Sequence, residues 1–159
     1  MIIKTGLGQD SHKFDFKDNK KQLKLAGVVF KSQPPLKGNS DSDVVFHSIT
    51  NAISSITGVN ILGAVADEML STGISDSKFY LAKALEFLDN FTINNIAISI
   101  EAKIPKIYPY IQDMRLNIAD TMNISVDNIG ITATSGEELT AFGRGEGIQV
   151  ISIVTVTKI

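Results

Sequence analysis

The chain has 159 residues, of which 43% are hydrophobic and 20% are charged, and its net charge is −2. This length favours a single domain over residues 1–159, and the nearly neutral charge gives no global attraction to nucleic acid or to an anionic membrane. The absence of cysteine excludes disulfides and thiolate metal sites, so a transition metal would need imidazole and carboxylate ligands, and the chain has only two histidines.

The first ten residues lack the basic and apolar regions of a signal peptide, and no apolar run is long enough to span a bilayer. We therefore expect a cytoplasmic protein with no membrane partner. The interior of a plastid is an alternative that the sequence leaves open.

Predicted strands and helices alternate along the chain. Strands are predicted over residues 2–7 and 22–30, and the polar cluster at 39–43 leads into a helix that ends at Gly58. A second helix is predicted over 77–88, a strand over 96–102, and a third helix from Pro109. Strands over 128–134 and 147–157 close the chain. This order predicts an α/β protein, an α+β two-layer sandwich with three helices packed on one face of a mixed sheet.

Both histidines lie in patterns that suit a metal ion. Asp10 and His12 are alternate residues of an extended segment and therefore share a face, while Gly6 and Gly8 before them leave room for another backbone or a ligand.

The second histidine, His47, lies nearly opposite the apolar stripe of its predicted helix, at four-residue spacing from Asp43 and Asn51. We expect His47 to lie outside the core, with Asp43 or Asn51 orienting its ring. Together with Asp10 and His12 it would form a two-histidine, one-carboxylate set with an open position, which is typical of catalytic zinc. The alternative is a pair of solvated histidines.

Three loops could contact anions. Residues 102–109 follow a strand, carry Lys103 and Lys106, and open a helix, a pattern that suits a phosphate- or nucleotide-contacting loop or a tight strand-to-helix connection with solvated lysines. Residues 134–137 combine hydroxyls, a glycine and a carboxylate, a set suited to phosphate and Mg²⁺ or to a polar turn. Residues 143–147 are rich in glycine around Arg144 but match no dinucleotide or phosphate-loop motif.

Four segments occur in an order that is specific to one family. They are Gly8-Gln9-Asp10-Ser11-His12, Ser40-Asp41-Ser42-Asp43-Val44 with His47, Pro105-Lys106 with Pro109, and the Gly143–Gly147 run. The chain resembles the 2-C-methyl-D-erythritol 2,4-cyclodiphosphate synthases of the non-mevalonate (MEP) pathway of isoprenoid and terpenoid biosynthesis over nearly its whole length.

The resemblance implies a homotrimer with active sites between subunits and a phosphorus–oxygen lyase activity that releases CMP. It implies one zinc ion on Asp10, His12 and His47 and a second divalent cation, Mg²⁺ or Mn²⁺, on Glu137. It gives Asn39 and Ser135 a role in stabilising the transition state, and leaves open an isoprenoid phosphate on the trimer axis. The substrate, which is linked to cytidine diphosphate, would be contacted by Ser40, Gly63, Asp67, Ala102, Lys103, Ile104, Pro105, Lys106, Ile107, Tyr108, Thr134, Gly136, Ala141 and Arg144.

Two departures from the family pattern stand out. Many members carry histidine where this chain has Asn39, and the segment 60–69, which contains Gly63 and Asp67, lacks the usual substrate-holding pattern. These departures leave two alternatives, a metal-dependent phosphoesterase on the same scaffold and a non-catalytic trimer that binds a nucleotide or an isoprenoid phosphate.

Overall fold

A computed structural model describes all residues from 1 to 159. In chain order the elements are β1 (Ile2–Lys13), β2 (Leu23–Leu25), β3 (Val28–Phe30), α1 (Val44–Thr57), α2 (Ala64–Ser71), α3 (Ser77–Leu85), β4 (Thr92–Glu101), α4 (Ile111–Met122), β5 (Ile129–Thr134) and β6 (Gly147–Lys158). None of the four helices is long and apolar enough to cross a membrane.

The main sheet has the strand order β1-β6-β4-β5. The pair β4–β5 is parallel, and the other two pairs are antiparallel, so the sheet is mixed as predicted. Along β6, Val150 and Val154 are fully buried, whereas Ile151 and Ile153 lie on the opposite, exposed face. This alternation is what a strand gives when helices cover one face of its sheet only.

The helix α1 packs closely on the strand β1. A Cβ built on Gly6 would lie 2.0 Å from the carbonyl oxygen of Ala52, and a Cβ on Gly8 would lie 2.0 Å from that of Ser48. The expectation that these glycines admit another backbone is therefore confirmed, and that backbone is the helix carrying His47. This packing sets the distance between β1 and α1 at the site.

The helix count is four, so the prediction of three helices was wrong. The additional helix, α2, contains no fully buried residue, and Gly63 at its start supplies no side-chain cap. Because a helix at the surface needs little apolar periodicity and this one also lacks a capping signal, the sequence gives no sign of it.

The predicted strand over 22–30 is a short hairpin instead. Ala26 and Gly27 have φ values of 51° and 74°, which reverse the chain between β2 and β3. The predicted strand over 2–7 extends to Lys13 in β1, so Asp10 and His12 stand on a regular strand.

The ends of α1 follow the sequence signals. Asp43 caps its first turn by accepting hydrogen bonds from the backbone N–H groups of Val45 and Phe46, and Gly58 ends it in the left-handed conformation. The third predicted helix is α4, which follows a 3₁₀ turn at Tyr108–Tyr110.

Candidate metal centre and active site

Three side chains converge at the β1–α1 contact. Oδ2 of Asp10 lies 3.0 Å from Nε2 of His12 and 2.9 Å from Nδ1 of His47. One potential ligand atom from each residue lies within 4.8 Å of the others. Two imidazole nitrogens and one carboxylate oxygen so close together can hold a divalent metal ion.

The charges in this cluster favour an ionised carboxylate. Burial alone would raise the pKa of Asp10, but the hydrogen bonds from His12 and His47, together with their charges, lower it to about 2. The hydrogen bond with Asp10 in turn raises the pKa of His12, against the opposing effect of burial. A metal ion bound to this cluster would displace protons from it. Its own charge would take the place of the positive charge that the two imidazoles supply.

The ring of His12 is oriented by the backbone. Its Nδ1 lies 2.7 Å from the carbonyl oxygen of Lys37, to which only a protonated nitrogen can donate. Nε2 is then the nitrogen that can bind a metal ion, and it is the atom that faces Asp10.

The predicted environment of His47 was wrong. Its side chain is buried, with 7% of the residue exposed, and neither Asp43 nor Asn51 contacts its ring. Asp43 accepts from backbone N–H groups, and Asn51 donates to the carbonyl oxygen of Gln9. Both side chains are used to fix the backbone around the site instead.

Ser77 contacts the ring of His47 in their place, and Asp41 in turn contacts Ser77. Oγ of Ser77 lies 2.8 Å from Nε2 of His47 and donates a short hydrogen bond to Oδ1 of Asp41. The sequence marks Ser77 only as a residue in the first turn of α3, which is why its contact with the histidine was missed.

A cavity of about 210 Å³ opens beside the metal cluster. It brings together seven of the predicted site residues with four that were not predicted. The predicted residues are Asp10, His12, Asn39, Ser40, His47, Gly63 and Asp67, and the others are Leu62, Ala66, Leu70 and Tyr80. Ala66 and Leu70 come from α2, so the helix missing from the prediction forms one wall, and Tyr80 comes from α3.

The loop that carries Asn39 and Ser40 is held from outside. Nζ of Lys21 donates to the carbonyl oxygen of Gly38 at 3.1 Å and to Oγ of Ser42 at 2.8 Å. These two bonds tie both ends of the loop to the segment before β2, and so fix where Asn39 meets the cavity.

A second cavity, of about 370 Å³, lies at the ends of β4 and β5. The predicted loop residues Ala102, Lys103, Pro105, Lys106, Ile107, Tyr108, Thr134 and Ser135 line it, together with Pro109 and Ala133. The two segments that we expected to bind the nucleotide therefore line one cavity. No residue of this cavity lines the one beside the metal cluster.

The remaining predicted residues lie in neither cavity. Glu137 accepts a hydrogen bond from the hydroxyl of Ser135, Arg144 pairs with Glu146 at 3.1 Å, and Ile104 is exposed. Gly136 has a φ of 73° and packs against Glu101. Ala141 lines a third cavity together with His12.

Comparison with known proteins identifies the family of this chain. The sequence profile of the YgbB family matches residues 3–157. The chain belongs to the YgbB family. The match covers both cavities and every predicted site residue.

Three known proteins illustrate what the chain is similar to. The 2-C-methyl-D-erythritol 2,4-cyclodiphosphate synthase of Chlamydia felis is 48% identical over 159 residues, which cover 99% of this chain and 90% of that protein. The bifunctional IspDF of Campylobacter jejuni superposes with a TM-score of 0.89 and 34% identity; the chain covers 43% of that longer protein. IspF of Plasmodium falciparum, solved as a CDP complex, superposes with a TM-score of 0.84 and 26% identity over 98% of this chain.

Proposed function

We propose that this chain cyclises 4-diphosphocytidyl-2-C-methyl-D-erythritol 2-phosphate to the 2,4-cyclodiphosphate and releases CMP. An oxygen of the 2-phosphate attacks the β-phosphorus, the bond from that phosphorus to the bridging oxygen breaks, and the bridging oxygen leaves with CMP. The observation that carries the proposal is the Asp10–His12–His47 cluster at the mouth of a cavity. The relatives named as synthases support the same conclusion.

The proposed reaction requires no general base from the protein. A phosphate with a second pKa of about 6 is largely dianionic near neutral pH, so the attacking oxygen needs no side-chain base. The protein must instead bring two anions together and stabilise charge, which carries most of the catalysis of phosphoryl transfer. This fits a site with cation ligands and no side-chain nucleophile.

Zinc is the metal that we propose for Asp10, His12 and His47, because two imidazoles with one carboxylate form a common catalytic zinc set. Bound there, it would supply Lewis-acid stabilisation of charge on the β-phosphate. We propose Mg²⁺ or Mn²⁺ as the second cation, with Glu137 as its protein ligand.

The other site residues have roles in binding and in charge stabilisation. Asn39 lies at the metal cavity, where its amide can donate a hydrogen bond without carrying charge. Ser135 and Lys106 lie at the second cavity, where the hydroxyl and the ammonium can contact phosphate oxygens. The backbone of residues 102–108 would contact the cytidine end of the substrate.

A homotrimer would unite the two cavities. Asn39 and Ser135 are both proposed to act on one transition state, yet they line different cavities of one subunit. We therefore propose active sites between subunits, with the metal side from one subunit and the nucleotide side from its neighbour. Residues 1–159 would act as one catalytic domain, and the cytoplasmic location stays a prediction.

Product analysis tests the activity. Incubation of the protein with the cytidine-linked substrate and both metals should release CMP and the cyclic diphosphate in equal amounts. Release of inorganic phosphate or a linear product would indicate the phosphoesterase, and binding of the substrate without turnover would indicate the non-catalytic trimer.

Mixed trimers test the shared site. His47→Ala removes the metal side and Lys106→Ala weakens the nucleotide side, so each variant alone should have low activity. When the two are unfolded and refolded together, roughly a quarter of the interfaces should combine two intact sides, and activity should return to that level. Activity that does not return on mixing would place the whole site within one subunit.

A further inference from the structure

A buried chain of hydrogen bonds runs from the metal cluster to a carboxylate behind it. His47 Nε2 meets Oγ of Ser77 at 2.8 Å, and the Ser77 hydroxyl and backbone N–H both bond to the carboxylate of Asp41. Ser77 is fully buried, so water cannot replace either partner.

The direction of these hydrogen bonds follows from the number of protons. An ionised carboxylate only accepts, and a hydroxyl has one proton to give. Asp41 accepts from the backbone N–H groups of Ser77 and Asp43 and from the hydroxyl of Ser77, and Nζ of Lys24 lies 3.9 Å away. The Ser77 proton therefore goes to Asp41, and Oγ is left to accept from His47.

The consequence reaches the metal side of the ring. If Nε2 of His47 carries the proton that Ser77 accepts, Nδ1 is the nitrogen that loses its proton when a metal ion displaces the hydrogen bond to Asp10, and the lone pair of the neutral imidazole is then on Nδ1. Nδ1 is the atom that faces Asp10 at 2.9 Å, in the cluster that could hold a metal.

We propose that Ser77 and Asp41 are positioning residues that hold His47 as the Nε2–H tautomer, with its Nδ1 lone pair directed at the metal. The inference rests on the metal site of the proposed function. His12 obtains the opposite tautomer from the carbonyl oxygen of Lys37, so the two rings are set by independent contacts.

Zinc affinity provides the first test. Ser77→Ala removes the acceptor for Nε2–H, and Asp41→Asn offers Ser77 one oxygen where the carboxylate offers two. Each should weaken zinc binding by about 10–100-fold, measured by competition with a chromogenic chelator. The double variant should lose little more than the weaker-binding single variant, because both residues act through one ring.

Ser48→Ala is the matched control. Ser48 is also fully buried, lies next to His47 on α1, and hydrogen-bonds to the carbonyl oxygen of Val45 and to Ser152 without touching the ring. It should lower the unfolding midpoint as Ser77→Ala does but keep the parental zinc affinity. Equal losses of zinc affinity in the two variants would reduce Ser77 to a purely structural role and overturn the proposal.

Imidazole ¹⁵N spectra test the tautomer without relying on a variant. With only two histidines, the zinc-loaded protein should show His47 protonated at Nε2 and His12 protonated at Nδ1. Ser77→Ala should speed exchange of the His47 proton with water and leave the His12 signals in place. A His47 ring that carries its proton on Nδ1, or a Ser77→Ala variant with parental zinc affinity, would overturn the proposal alone. Failure of the unaltered protein to bind zinc would overturn this proposal and the proposed metal site together.

Discussion

Gly8→Ala should damage the metal site through the fold, because α1 rests directly on this glycine. The new Cβ would lie 2.0 Å from the carbonyl oxygen of Ser48 and 2.3 Å from the backbone nitrogen of Ala52. An ordinary contact needs about 3.4 Å, so the strand and the helix must move apart by roughly 1.4 Å. Both obstacles are backbone atoms, and no side-chain rotation can relieve them.

That displacement acts where the ligands meet. Asp10 follows Gly8 by two residues on β1, and His47 precedes Ser48 on α1, so separating the elements lengthens the 2.9 Å contact between Asp10 and His47. A functional site tolerates errors of only about 0.5 Å in such positions. We expect a loss of about 1–3 kcal/mol in the free energy of unfolding, as for other overpacked sites, and zinc binding at least about tenfold weaker.

Urea unfolding and chelator competition would measure the two effects. Gly130→Ala is the matched control, since a Cβ there meets no atom of the chain within 4 Å. It should leave zinc affinity unchanged and stability within about 1 kcal/mol of the parent. A Gly8→Ala variant with parental stability and zinc affinity would refute the claim that this contact sets the spacing of the ligands.

Three further predictions concern side chains of the site. His47→Ala should abolish zinc binding and CMP release while the chain stays folded, because the ring borders an existing cavity, and parental turnover would contradict the metal assignment. Asn39→His should preserve or raise turnover, as the family difference suggests, and complete loss of activity would show that this chain uses the position differently. The pKa of Asp10, lowered from 3.8 to about 2, means that its contribution to stability is present above pH 4 and is lost as the pH falls from about 4 to 2. Unfolding of the metal-free protein should show this loss, of roughly 2 kcal/mol, and Asp10→Asn should not show it.

Local sequence signals were enough to predict most of the elements. The caps at Asp43 and Gly58 bound α1, the last strand was predicted nearly to its full length, and the glycines of β1 indicated a close approach. These features depend on neighbours within a few residues, so the sequence carries them directly. The helix α2 was not predicted, because it has neither a buried apolar stripe nor a capping side chain.

The candidate site was also predictable only in part, where its residues are close together in the chain. The residue types and the spacing of Asp10 and His12 already indicated a metal, since two ligands on one face of a strand need no tertiary information. The spacing of residues could not predict that Ser77 contacts His47, because Ser77 lies 30 residues further along the chain. The same holds for the contact of Ser77 with Asp41, which precedes the helix α1.

The amino-acid sequence by itself determined the chemistry available to this protein: two imidazoles, a set of carboxylates and no thiol. Tertiary structure decided which of these groups meet. The packing of α1 onto the glycines of β1 brings His47 to Asp10, and the start of α3 brings Ser77 behind the ring. Hydrogen bonds act only over about 3 Å, so contacts between residues far apart in the chain exist only once the backbone is folded.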